Sequence, residues 1–316
     1  MSRSLPPTER PHSGIASRLE LLAAALLFST GGAAIKATSL TAWQVAGFRS
    51  VIAAVALLAL LPAARRALRR RWGWPLVAVG AAHGVTMLLF VLGNKLTTAA
   101  NTIFLQSTAP LWVLLLAPWL LRESVRRRDL VYMAALALGL GLFFVGQRAP
   151  DALAPNPLAG NLIAAASGLT WGLTLLGLRS VGREEAGDGG DLGALAVVLG
   201  NSIAFLVALP LALGDRAALA AATGTDWGLV AFLGVVQIAV AYAFLTRGIR
   251  RVGAFEASLL LLVEPVLNPI WAWLVHGEQP GPWGLAGGAA ILGATLAKTA
   301  LDVRRARHAR AVSSRA

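Results

Sequence analysis

The stretch SLLLLVEPVLNPIWAWLVHGE, residues 258–278, decides how the rest of the chain is read. Apolar side chains fill nearly all of it, yet Glu264 stands near its middle, followed at once by Pro265. Proline has no backbone N–H, so Pro265 frees the carbonyl of Leu261, and Pro269 frees that of Pro265. A run of this length crosses a hydrocarbon core about 30 Å thick. There a freed carbonyl is costly and persists only where it faces protein or a wet cavity. A charged carboxylate at that depth costs on the order of 3 kcal/mol or more. Glu264 is therefore expected to face such a cavity or to be protonated. Two roles stay open for it. It pairs with a buried Arg or His and fixes helix packing, or it contacts substrate or a coupling proton. Asn268 lies one turn on and is expected on the same face. Glu256 lies two turns before, nearer the cytoplasmic end.

The surrounding chain has the same character. Of 316 residues, 57% are hydrophobic and only 14% charged, against about 25% charged in soluble domains. Apolar runs recur near 18–38, 41–62, 73–92, 97–121, 129–146, 157–178, 192–213, 227–246, 253–275 and 282–301. Ten membrane-spanning helices are expected, since Gly and Pro inside such runs are tolerated in lipid. The first run leads to Lys36 without a small-x-small cleavage site and reads as a retained span. The net charge of +13 suggests nucleic acid in a soluble protein, but its distribution argues otherwise. One alternate set of gaps and tails holds 22 basic residues, including ARRALRRR at 64–71 and RESVRRR at 122–128. The other set holds Lys95, Arg148 and Arg216. The positive-inside rule then puts both termini in the cytoplasm. The expected partners are a lipid bilayer and a small-molecule substrate, with no nucleic acid; a homodimer is compatible with the sequence.

The chain is also expected to be a duplication. A shift of 155 residues carries Gly93 onto Gly248, Leu105 onto Leu260, Pro110 onto Pro265, Ala117 onto Ala272 and Glu123 onto Glu278. The shift divides ten spans into five and five. Five is odd, so the second copy enters the membrane from the opposite side, as in inverted-repeat transporters. The expected organisation is a tail at 1–17, a first repeat at 18–146, a linker at 147–156, a second repeat at 157–301 and a basic tail at 302–316. The matched Pro110 and Pro265 suggest two kinked helices beside one shared cavity. GDRAALAAATGTD at 214–226 is expected to form a short external helix.

Other polar residues inside the spans are weaker candidates for the cavity. Gln237 and Tyr242 are five residues apart, loosely on different faces. Asn101 and Gln106 lie in the fourth span, and His83 in the third, where it either titrates or packs as a neutral ring. A lone Asn, Gln or Tyr in a membrane helix also serves as a helix–helix hydrogen-bonding group. Trp171 is placed to wall the cavity. Arg49 and Lys36 sit toward the outside, where snorkelling is available. Glu123 and Glu278 end their spans and read as loop caps at a helix end. No cofactor or metal is expected. There is no Cys, no GxxxxGK[ST] and no HExxH, and the four His are scattered at 12, 83, 276 and 308.

Taken together, STAPLWVLLLAPWLLRE and LVEPVLNPIWAWLVHGE, in register, resemble the fourth helices of the two repeats in the drug/metabolite transporter superfamily, EamA-type branch. RLELLAAALLFSTGGAAIK resembles its first helix, with FST where an aromatic Trp is common. FRS at 48–50 resembles its second-helix arginine. The likeness covers roughly residues 18–301. It implies an all-α polytopic fold of ten transmembrane helices, two inverted five-helix repeats around a central cavity. It implies that spans 3, 4, 8 and 9 form the inner wall, with 1 and 6 nearby. It also implies an exporter of small metabolites such as amino acids, working by alternating access in a bacterial inner membrane. Where span 9 has Glu264, span 4 has Ala109, so carboxylate chemistry is expected on the span 9 side. A membrane enzyme acting on lipid or isoprenoid, or a non-transporting scaffold, are the alternatives.

Overall fold

The computed structural model describes residues 12–69, 72–120, 127–145, 149–184, 192–248, 252 and 260–313. Glu123 and Glu256 lie outside the described residues. Among those described, every regular element is helical. Eight helices are long and apolar enough to cross a membrane, and Asp129–Leu142 is a shorter apolar helix at the fifth run. At the ninth run the described helix is Val263–His276.

In chain order the helices are α1 (His12–Ser29), α2 (Gly31–Ala37), α3 (Ala42–Leu60), α4 (Pro62–Ala67), α5 (Trp74–Leu96), α6 (Ala99–Gln106), α7 (Ala109–Leu120) and α8 (Arg127–Leu142). Then come α9 (Pro157–Glu184), α10 (Leu192–Gly214), α11 (Arg216–Ala221), α12 (Gly224–Phe232) and a π-helical turn (Leu233–Val240). The series closes with α13 (Ala241–Gly248), α14 (Val263–His276) and α15 (Pro282–Ser313). The expected short helix after Gly214 is α11.

The starts and stops are written locally. Thr41 accepts from the Gln44 N–H while the Gln44 side chain bonds the Thr41 N–H, a capping box that opens α3. Thr98 caps α6 through the Asn101 N–H, and Thr223 pairs reciprocally with Asp226 at the start of α12. Gly277 closes α14 with φ 65°, left-handed backbone that favours glycine. That turn directs Glu278 back into the bundle.

Among the described residues four of the apolar runs are not single regular α-helices: the eighth holds the π turn, and three others are interrupted. The first is interrupted at Thr30, whose hydroxyl bonds the Leu27 carbonyl. The fourth breaks at Ser107–Thr108, just before Pro110. The ninth breaks at Leu262, just before Pro265. The sequence suggests kinks at the two prolines; the structure interrupts the α-helix there by one or two turn residues, with the backbone at Ser107 and Leu262 staying in the right-handed region.

In lipid there is no hydrophobic drive between helices, so close packing of small residues and hydrogen bonds hold them. α3 and α10 pack together, and Ala46, Ala204 and Ala208 are buried in one cluster with Leu88, Phe90 and Leu105. α5 packs on α9 and α10, α8 on α15, and α1 on α13 and α14.

One end of the bundle is laced by polar ties. Lys36 makes an ion pair with Glu278 at 3.3 Å, the side chains 4% and 1% exposed. It also donates to the carbonyls of Thr97 and Leu153. Glu278 accepts the Ala99 N–H at 2.7 Å and so caps α6. Lys95 donates to the Thr38 carbonyl at 2.7 Å. Asp226 accepts from the Ser39 N–H at 2.6 Å and the Thr223 hydroxyl at 2.6 Å. Lys36 therefore does not snorkel to the surface: a buried carboxylate 242 residues further along the chain holds it inside. The cap read for Glu278 exists, on a helix distant in sequence.

Candidate central cavity

A cavity of about 220 Å³ lies among the helices, and seven of the ten apolar runs contribute to its wall. α1 supplies Phe28, α3 supplies Arg49, and α5 supplies Thr86, Met87 and Phe90. α6 brings Gln106, α9 brings Trp171, and the eighth run brings Gln237 and Tyr242. Leu261 and Glu264 complete it. A second cavity of about 240 Å³ shares Gln106, Trp171, Leu261 and Glu264 with the first, and both Pro110 and Pro265 line it. The two helix breaks thus meet across one hollow.

The π turn explains why Gln237 and Tyr242 share a wall, against the expectation of different faces. An i→i+5 turn is wider than an α turn, so residues five apart come round toward one face. Gln237 donates to the Phe28 carbonyl at 3.4 Å, and its Oε1 has no hydrogen-bond partner. Tyr242 meets Phe28 edge-on at 5.2 Å between ring centroids. Gln106 is fixed by a 2.8 Å bond from its Nε2 to the Ser167 hydroxyl.

His83 stands behind this wall, fully buried. Its ring lies 6.0 Å from Tyr242 and 6.1 Å from Trp171, and its Nε2 is 3.4 Å from the Asn201 amide. Two candidates lie elsewhere. Asn101 joins Asn161 at 3.1 Å and borders a separate hollow of about 30 Å³ with Thr98 and Trp283. Asn268 does not share the cavity face of Glu264. It is turned to α2, where a Cβ on Gly32 would lie 2.6 Å from its Oδ1. Trp271 and His276 pin the same face of α14, bonding the Ser29 hydroxyl at 2.9 Å and the Ala33 carbonyl at 2.9 Å. α14 thus spends one face on α1 and α2 and offers Glu264 on another.

Arg49, like Lys36, does not sit toward the outside. It is 1% exposed and lines the cavity rather than reaching outward. Its Nη2 donates to the Met87 carbonyl at 3.0 Å, and the guanidinium lies 6.0 Å from the Phe90 ring centre. The signal was present, since an arginine inside an apolar run is expensive unless it faces something polar. Glu264 is not paired with a buried Arg or His among the described residues, so the packing role read for it lacks the ion-pair partner it calls for. No group of three or more His, Asp or Glu that could hold a metal gathers among the described residues.

Comparison with known proteins places these features. The pattern of the EamA-like transporter family matches residues 18–145 and again residues 158–298. The pseudopaline exporter CntI of Pseudomonas aeruginosa is 27% identical over 277 residues, covering 87% of this chain and 92% of the relative. Inner membrane protein YtfF of Escherichia coli is 29% identical over 130 residues, 40% of this chain and 38% of the relative. One crystal structure superposes with a TM-score of 0.56 at 20% identity, over 94% of this chain and 99% of that one. That last likeness is one of fold alone.

Proposed function

The chain belongs to the EamA-like transporter family, and we propose that it exports small metabolites, amino acids and related compounds among them, by alternating access through the central cavity. It is a multi-pass membrane transporter rather than an enzyme. The observation that carries the export reading is the hollow itself. Two broken helices flank it, and it holds charged, polar and aromatic side chains together. Broken helices at such a site are how secondary transporters present polar groups to a ligand at membrane depth. The outward direction rests on the likeness to a relative named as an exporter.

The proposed architecture is ten spans in two inverted repeats, residues 18–146 and 157–301, joined at 147–156, with both termini in the cytoplasm of a bacterial inner membrane. Three observations support it. The family pattern matches twice. The breaks at Ser107 and Leu262 stand 155 residues apart, the same shift that aligns the prolines. The packing also exchanges: α5 on α9 is mirrored by α1 on α13, α5 on α10 by α3 on the π turn, and α6 and α7 on α9 by α1 and α2 on α14.

The test is counterflow of labelled amino acids in proteoliposomes, comparing Glu264→Gln with the wild type across pH. Loss of transport, or of its pH dependence, is expected in the variant. Unchanged rates would remove Glu264 from the mechanism, and no counterflow of any metabolite in the wild type would remove the export reading. Reporter fusions on the two tails are expected to report the same side of the membrane.

A further inference from the structure

The basic run ARRALRRR at 64–71 plays no part in the cavity. We propose that the connection between α3 and α5, residues 61–74, is a docking surface for anionic phospholipid. Arg66 and Arg69 hold the headgroup phosphate, and Leu68, Trp72 and Trp74 sit in the interface beside it. The proposal is independent of the export reading and adds a lipid partner of defined charge.

The run begins as a folded strap against the bundle. Leu61 closes α3 by donating its N–H to the Leu57 carbonyl, and Pro62, suited to a first helical turn, opens α4 at once. Ala64 and Ala67 are fully buried, in one cluster with Leu57 and Leu195, and α4 packs on α3 and α10. The strap lies between the ends of two spans, Ala42–Leu60 and Trp74–Leu96, at the depth where acyl chains give way to headgroups. Its arginines divide. Arg65 turns back, its Nη1 donating to the carbonyls of Leu58 at 3.0 Å and Ala59 at 2.8 Å, which lie in the last turn that a helix cannot satisfy by itself. Arg66 and Arg69 are three residues apart and share one face, away from Ala64 and Ala67, and both are exposed.

Neither Arg66 nor Arg69 has an ion-pair partner among the described residues. α3, α4 and α10 contain no Asp or Glu at all, so no carboxylate stands on the elements that pack together here. Two neighbouring guanidinium groups repel each other and attract an anion, and their planar forks suit a phosphate. The surroundings decide which phosphate. Leu68, Trp72 and Trp74 are 38%, 45% and 78% exposed. Beside a basic run in water such side chains are a liability; at a bilayer surface Trp is a preferred anchor. A free phosphate uses the arginines alone. A phospholipid gives the arginines its headgroup and gives the three apolar side chains its glycerol and upper acyl region. The proposed topology puts this strap on the cytoplasmic side, where basic segments beside a span meet anionic lipid.

The experiment follows hydrogen–deuterium exchange of the full chain by mass spectrometry, in nanodiscs of phosphatidylcholine to which phosphatidylglycerol is added in steps. Exchange across residues 61–74 is expected to slow as phosphatidylglycerol rises. The fraction of phosphatidylglycerol that gives half the effect is expected to rise about fivefold for each of Arg66→Gln and Arg69→Gln, as for one basic side chain near an anionic surface. Exposed substitutions of this kind leave stability nearly unchanged, and unaltered exchange in α3 and α10 shows that the fold is kept. Equal exchange at 61–74 in all the lipid mixtures would overturn the proposal, as would protection by phosphatidylglycerol that persists undiminished in the double variant. Protection in pure phosphatidylcholine on adding inorganic phosphate would give the arginines to a free anion and overturn the lipid assignment. Transport plays no part in this readout, so failure here leaves the export reading where it stands.

Discussion

Replacing Glu278 by alanine should be the most damaging single change at the laced end of the bundle. Glu278 Oε2 lies 3.3 Å from Lys36 Nζ, with both side chains nearly inaccessible, and its Oε1 takes the Ala99 N–H. Removing one member of a buried pair strands the other charge, at a cost of about 3–5 kcal/mol. Stranding the Ala99 donor adds roughly 1–3 kcal/mol. At about 2–4 °C per kcal/mol for larger domains, the pair alone predicts a fall in Tm of at least about 6 °C. The assay is loss of the monodisperse size-exclusion peak after heating the detergent-solubilised protein. Glu278→Gln separates the two contributions, because its amide oxygen still accepts from Ala99 while the charge is gone. Lys36→Met combined with Glu278→Gln removes both charges, and replacing a buried pair wholly is often neutral. The double variant is therefore expected within about 2–4 °C of the wild type. The reasoning fails if Glu278→Ala melts within about 2 °C of the wild type, or if the double variant is no more stable than Glu278→Gln.

Gly32→Ala places a Cβ 2.6 Å from Asn268 Oδ1 and 2.8 Å from Ala99 Cβ; overpacking of this kind should cost about 1–3 kcal/mol in thermal unfolding. Asp226→Ala removes the acceptor for the Ser39 and Thr223 N–H groups, and a loss of about 2–3 kcal/mol is expected in the same assay. Pro110→Ala and Pro265→Ala restore the missing N–H donors at the two breaks. Both are expected to lower counterflow without lowering Tm, and wild-type transport by the double variant would separate the breaks from function.

Much of the fold was legible because lipid imposes one rule at a time. Long apolar runs mark spans, and the 155-residue shift that aligns Pro110 with Pro265 also aligns the two breaks. The facing of individual side chains was less legible, for physical reasons. Asn268 reads as a neighbour of Glu264 on a regular helix, but α14 gives that stripe to α2. Gln237 and Tyr242 read as divergent until the π turn brings them together, and LGVVQIAV carries no proline to announce it. The Lys36–Glu278 pair joins residues with no local relation, so no window of sequence contains it. Arg49 was visible as an isolated charge in an apolar run, but its direction depended on the packing of α3 against α5, which supplies Met87 and Phe90. Gln106, Trp171 and Glu264 were placed at the cavity from chemistry and spacing alone, and the structure brings those three together.

The charged groups divide by how fully each is answered, and the division bears on mechanism. Lys36, Lys95, Asp226 and Glu278 sit at one end, each with protein partners. Arg49 and Glu264 sit in the cavity without ionic ones among the described residues. Burial is costly in both places, so the difference lies in what compensates it. At the laced end the protein does, and those ties close the bundle. In the cavity no charged protein partner does so among the described residues, and the proposed transport assigns that part to the cargo. The proposed alternating access would require the laced end to exchange protein partners for water. Each neutral tie is worth only about 1 kcal/mol net, and an ion pair that opens regains the hydration it gave up. The barrier between states is therefore shallower than the number of ties suggests. Under the proposed transport, a ligand moves that equilibrium only by as much as it binds one state better than the other.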